Sequence, residues 1–228
     1  MVIYYLSRAQ ARLEWKKTEI AAFQIKKLRQ VIKNAYENVP FYHRSFKSNK
    51  ICPEDIKNLE DLNKIPILKK ADLRKNSLKD LISTKFSFED LKKLTSGGST
   101  GEPFSVYISS REDAWRKAIY LRANIRCGQK PRDVWACVID SQYSNNTGKI
   151  QEILGFFHRR IVPITLNEQA RFQTVVRINP DVLDGFPSAL CMLAKEQERN
   201  EELIRPKIIF GSGEIITENS IKLLERAF

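Results

Sequence analysis

The densest chemistry in the chain lies in nine residues, Thr95-Ser96-Gly97-Gly98-Ser99-Thr100-Gly101-Glu102-Pro103. Three glycines let a backbone turn tightly and bring bare N–H groups against a ligand with no Cβ in the way. Thr95, Ser96, Ser99 and Thr100 add hydroxyls that suit phosphate oxygens and carry no charge. Side chains this small pack no core, and Ser96 to Pro103 is eight residues long, beyond the roughly two to five of a hairpin loop. The chemistry such a segment can do is anion binding in a nest of amides. Taken alone, the residues leave a plain Gly97-Gly98 hairpin turn open as well. The nucleotide loop of the common NTPases does not fit. It needs Gly-Lys-Ser/Thr opening a helix, and here Gly101 is followed by Glu102 and Pro103.

Elements that could position this segment flank it. Leu91 and Leu94 precede it and Phe104-Ser105-Val106-Tyr107-Ile108 alternates after it, so it joins two strands. Ser109-x-x-Glu112 is a capping box for a helix from about Arg111 to Cys127, and Gly128 suits its C-terminal cap. Val134 to Ile139 is a continuous apolar run, the pattern of a strand covered on both faces. Ser141 to Lys149 reads as a polar loop. Beyond it the chain alternates: strand Ile161–Ile164, helix Asn167–Ile178, strand Val182–Gly185, helix Pro187–Glu198, strand Lys207–Phe210, helix Glu218–Phe228. Alternation of this kind predicts a mostly parallel, helix-covered sheet, and in such sheets ligands gather beyond the carboxyl ends of the strands. Two glycine turns fall there, Asp184-Gly185-Phe186-Pro187-Ser188 and Gly211-Ser212-Gly213-Glu214. Each is equally a strand-to-helix turn capped by Ser188 or Thr217.

The first third reads as helix. Residues 8–38 are helical with a break near Thr18, and Leu28, Val31, Ile32, Ala35 and Val39 form one apolar stripe. Pro40 ends it, because the residue before a proline leaves the helical region. Pro53 opens a further turn, and Leu59 to Arg74 reads as two short helices around Pro66. The expected fold is therefore α/β, with a helical N-terminal region (1–90) followed by an α/β region (91–228).

Composition bounds the function. With 228 residues, 42% of them hydrophobic, the chain can bury a sizeable core. Cys52, Cys127, Cys137 and Cys191 form no Cys-x-x-Cys pair and neither His43 nor His158 sits near one, so no metal site is legible. Reduced cysteines and the lack of a long apolar run or basic leader point to a cytoplasmic protein. The formal charge is +12, and residues 1–50 hold eleven Lys/Arg against three acids. A solvated face accounts for that run, and peripheral contact of residues 8–50 with an anionic membrane is the functional alternative. Aromatics interleave with few of these bases, which counts against nucleic acid.

The nine-residue segment resembles the Ser/Thr/Gly-rich phosphate loop of the adenylate-forming (ANL) superfamily. Ala35-Tyr36-Glu37-Asn38-Val39-Pro40-Phe41-Tyr42 and the run from Leu59-Glu60-Asp61-Leu62 to Lys70-Ala71-Asp72-Leu73 are similar to segments of its phenylacetate–CoA ligase and capsular polysaccharide biosynthesis branch. The resemblance implies ATP-dependent activation of a carboxylate to an acyl-adenylate, then transfer to CoA or another acceptor, with ATP and Mg2+ required. It implies that Thr95, Ser96, Gly97, Gly98, Ser99, Thr100, Gly101 and Glu102 face the phosphates. Ser212, Gly213 and Glu214 would border the adenine, and Gly185, Phe186, Pro187 and Ser188 the acyl group. It assigns no catalytic residue and is compatible with a homo-oligomer.

The match covers the chain from about Ala35 onward but only the first part of the family's architecture. The Tyr-Gly-x-x-Glu segment, the ribose aspartate and the C-terminal domain with its lysine have no counterpart, so the expectation is the partial large N-terminal domain of an adenylate-forming enzyme. The rival expectation is a non-catalytic basic module, with the glycine segment vestigial. Glu102 departs from the family, which usually has lysine there. A carboxylate about 4 Å from a phosphate oxygen costs on the order of 4 kcal/mol per charge pair at an effective dielectric of about 20. In a full-length version Glu102→Lys should therefore leave ATP binding intact or tighten it. A large loss of affinity by calorimetry would make Glu102 a positive participant.

Overall fold

A computed structural model describes residues 1–95, 104–140 and 153–228. The expected polar loop at 141–149 and all but Thr95 of the glycine-rich segment lie outside the described residues. The chain divides into two compact units, Met1–Arg122 and Ala123–Phe228.

In the first unit, helix α1 (Val2–Ala11) runs through a 3-10 turn (Arg12–Glu14) into α2 (Lys17–Asn38). The break falls at Trp15 and Lys16, whose backbones are extended, and not at Thr18. The reason is a cap that composition did not advertise: the Glu19 carboxylate accepts from the Lys16 N–H at 2.7 Å. Val39 is extended ahead of Pro40, which takes the first position of α3 (Pro40–Ser48), as a proline there requires. Ile32, Phe46, Ile51 and Ile56 are buried together, with Leu28, Tyr36, Tyr42 and Ile65 against them. Val31 does not belong to the expected stripe: it is 63% exposed, because one residue from Ile32 is a turn of about 100° out of that face.

Short turns (Pro53–Asp55, Glu60–Lys64) and the helices α4 (Lys70–Arg74) and α5 (Leu78–Leu81) lead to an antiparallel ribbon. Its strands β1 (Leu91–Thr95) and β2 (Ser105–Ser109) bracket the glycine-rich segment, with Thr95 paired to Ser105. Helix α6 (Ser110–Arg126) follows at once. Its capping box forms as the spacing predicts: Glu112 accepts from the Ser109 N–H at 2.7 Å, and Ser109 Oγ accepts from the Glu112 N–H at 3.3 Å. At the other end Gly128 is left-handed (φ +98°) and closes the helix.

The second unit carries a four-stranded parallel sheet in the order β4-β3-β5-β6. The strands are β3 (Trp135–Ile139), β4 (Arg159–Pro163), β5 (Val182–Gly185) and β6 (Ile208–Gly211). Helices α7 (Glu168–Ile178), α8 (Pro187–Gln197) and α9 (Glu218–Ala227) alternate with the later strands. Strand periodicity sends Ala136, Val138, Val162 and Leu183 into one core with Phe172, Val175, Leu190, Leu193 and Leu224. Trp135, Cys137, Val182 and Asp184 alternate onto the opposite face and are buried too, which is why these strands read as unbroken apolar runs. Asp181 ties the amino ends together, accepting from the Val134 N–H at 2.9 Å and pairing with the Lys207 ammonium at 2.6 Å.

The ribbon that brackets the glycine-rich segment is fastened to α6 through one carboxylate. Asp113 pairs with Lys92 of β1 at 3.5 Å and with Arg116 and Lys117 at 2.9 Å each. Burial raises its pKa, but hydrogen bonds from Lys117 and Arg116 and the charges of Lys117 and Lys92 outweigh burial and bring it down to about 2. A carboxyl held below its unfolded value of about 3.9 stabilises the fold above that value. That stability is lost as pH falls toward the folded value. Urea unfolding of the wild type should therefore weaken between about pH 4 and pH 2, and Asp113→Asn should flatten that loss. An unchanged profile in the variant would show that the carboxylate is uncoupled from folding.

Candidate functional site

The two glycine turns lie next to each other because their strands end in register: Gly185 pairs with Gly211 at the carboxyl ends of β5 and β6. Three contacts then join the turns. The Ser212 N–H donates to the Gly185 carbonyl at 3.0 Å. Gly213 is left-handed (φ +84°), and a Cβ there would come within 2.6 Å of the Phe186 ring, so the turn needs glycine twice over. The Glu214 carboxylate takes both groups of Ser188, the N–H and the hydroxyl, each at 2.9 Å.

That last contact solves a local problem. Helix α8 starts after Phe186, whose side chain makes no cap, and Pro187 has no N–H to satisfy. The next amide, Ser188, would be an orphan at a helix N-terminus, where a negative group is favoured. Glu214, 26 residues along the chain, supplies it. Ser188 is therefore not the cap of its own helix. Thr217 does cap α9, accepting from the Ser220 N–H at 3.2 Å.

The result is an exposed ledge. Gly211 to Thr217 are exposed, so peptide groups of Gly211, Ser212 and Gly213 stand at the surface beside the Phe186 ring. Among the described residues, no three His, Cys, Asp or Glu side chains gather to hold a metal.

Two buried polar residues near the turns gave no signal in the sequence. Asp184, one residue before Gly185, is 4% exposed, and the Cys137 thiol lies 3.8 Å from its carboxylate. Burial pushes the Cys137 thiol well above its usual value and the Asp184 charge adds to the shift, so the thiol is kept protonated and inert. Only the strand register could have revealed this pair, since Cys137 and Asp184 are partners across β3 and β5.

Thr95 is the one residue of the expected phosphate segment among the described residues. Its hydroxyl lies 3.2 Å from that of Ser105 at the end of the ribbon. Ser96, Gly97, Gly98, Ser99, Thr100, Gly101 and Glu102 lie outside them, as does Lys149.

The helical N-terminal region and the four-stranded parallel sheet together form part of the adenylate-forming ligase fold. A 2-hydroxyisobutyryl-CoA ligase, solved in an open conformation with 2-HIB-AMP and CoA, matches 92% of the chain at a TM-score of 0.72 and 22% identity. That match takes in 52% of the ligase chain. In sequence the chain is a homologue of phenylacetate–CoA ligases over part of their length, their N-terminal portion. The enzymes of Escherichia coli K12 and Aromatoleum evansii are each 30% identical over 79% of this chain. The chain spans 41% of the length of each of these two relatives. No family model matches.

The link between the turns can be measured. Glu214→Ala should lower the unfolding free energy by about 1–2 kcal/mol, the usual loss of a helix cap. Ser188→Ala should cost less, because the amide contact survives. The double variant should fall short of the sum by roughly 0.5 kcal/mol or more. Additive single effects in urea melts would mean that the two side chains do not meet in solution.

Proposed function

We propose that this chain is the nucleotide-handling portion of an ATP-dependent carboxylate-activating ligase. The observation that carries the reading is the ledge of Gly211, Ser212 and Gly213, locked to the Gly185–Ser188 turn at the carboxyl end of a parallel sheet. Homology to acyl-CoA ligases supports it. In this reading the ledge receives the adenine edge, and the Phe186 turn borders the acyl group. The segment from Thr95 to Glu102, set on the ribbon β1–β2, holds phosphate through backbone amides and hydroxyls. ATP supplies the pyrophosphate leaving group. The chain's own part is to stabilise departing charge with pre-aimed donors, which is electrostatic work and not proton transfer.

Glu214 acts as a positioning residue here, since both its oxygens are engaged by Ser188. The acceptor in this reading is CoA. The capsular polysaccharide branch that the sequence also resembles would change the acceptor and leave the nucleotide ledge as it is. Because the chain spans under half of the ligases it resembles, we assign it nucleotide binding without complete adenylation.

The experiment is a nucleotide titration of the purified 228 residues. ATP or AMP should protect the Ser96–Gly101 segment from proteolysis in a saturable way, while ATP–pyrophosphate exchange stays at background. Protection absent at saturating nucleotide would remove the ligase reading. Measurable exchange would overturn its restriction to binding.

A further inference from the structure

Helix α1 turns an apolar arc outward. At about 100° per residue, Ile3 and Tyr4 are neighbours on one side, 81% and 55% exposed, and Met1, just ahead of the helix, is 69% exposed. The opposite side is fastened within the first unit: Ala9 is fully buried, and Tyr5 meets the Trp115 ring edge-on at 5.2 Å. Just beyond the helix, Arg12 lies against three rings, Phe23 at 4.2 Å, Trp115 at 5.1 Å and Trp15 at 5.5 Å. The helix is thus held by its inner face, and its outer face is left without a partner among the described residues. Here aromatics do interleave with the bases, contrary to the sequence-based expectation, because the chain folds Trp115 back onto residues far from it in sequence.

The charge around the arc is one-sided. Met1 to Lys17 contains Arg8, Arg12, Lys16 and Lys17 against one acid, Glu14, and Arg8, Lys16 and Lys17 are exposed. The guanidinium of Arg12 is held below its usual pKa, first by burial and then by the charges of Arg8 and Arg122. We infer that the outer face of α1, with Ile3, Tyr4 and the Arg8 guanidinium that donates to the Tyr4 hydroxyl, docks on an anionic lipid bilayer, drawn to it by the exposed bases of the first seventeen residues.

The occupant follows from the chemistry. Met1 and Ile3, the two most exposed groups, are aliphatic and offer a base nothing to stack on, and the Tyr4 ring is already covered by the Arg8 guanidinium, which disfavours nucleic acid. Exposed apolar groups with a tyrosine and an arginine beside it match the layering of a bilayer surface, acyl chains beneath anionic headgroups. At 10 residues the helix lies on the surface and does not cross it. No helix among the described residues is long and apolar enough to span a membrane. The inference does not depend on the ligase reading.

Cosedimentation of the full chain with phosphatidylcholine vesicles containing about 30 mol% phosphatidylglycerol tests it. Binding is expected at low ionic strength, falling toward the level of pure phosphatidylcholine at about 1 M salt, where exposed charges are screened. Ile3→Asp should weaken binding roughly tenfold, and Lys17→Glu roughly fivefold or more. Both sites are exposed, and unchanged thermal melts will confirm folding. Ile67→Asp, at a position 92% exposed elsewhere in the same unit, should bind as the wild type does. Failure to sediment with anionic vesicles overturns the inference. So does equal binding to neutral ones, an Ile67→Asp loss matching that of Ile3→Asp, or retention on heparin without vesicle binding.

Discussion

At the carboxyl end of the sheet, β3 and β5 approach so closely that a Cβ on Gly185 would stand 2.9 Å from the Val138 carbonyl oxygen. No other residue type fits that gap without shifting a strand. The close approach brings β5 to its end level with β6, so that Gly185 faces Gly211 and both chains turn away at the same height. Each contact between the turns follows from this: the Ser212 amide on the Gly185 carbonyl, the Phe186 ring on Gly213, and Glu214 on Ser188. Widening the gap at Gly185 would separate the two turns and cost α8 its cap from Glu214.

The two ends of the sheet are held by different means. At the amino end Asp181 bridges backbone and the Lys207 ammonium. At the carboxyl end the carboxylate of Glu214 is turned inward to Ser188, and peptide groups face out. In the first unit, Asp113 plays a comparable part for the ribbon, with three cations converging on one carboxylate. In both cases the acid's oxygens are engaged in fixing neighbouring backbone or side chains.

Much of the local structure was legible in the residues. The break at Pro40, the box of Ser109 and Glu112, the left-handed Gly128, the cap of Thr217 and the buried run Trp135–Ile139 all follow from interactions within about four residues or from strand period. The same signals placed the glycine-rich segment between two strands, and the ribbon β1–β2 bears that out. Where the reading slipped, a neighbour from outside the window decided. Val31 and Ile32 are equally apolar, but only Ile32 faces Phe46 and Ile56. Glu19 moved the helix break by bonding back to Lys16, and Arg12 found Trp115 only once the chain had folded.

By itself the sequence determined the order of helices and strands, the parallel sheet and the placing of its glycine turns at strand ends, because propensity, capping and periodicity are short-range properties. The joining of those turns was decided by tertiary structure alone. Glu214 meets Ser188 across 26 residues and Cys137 meets Asp184 across 47. Both depend on strand register, which is set by how whole faces of side chains pack against helices and which no local spacing encodes.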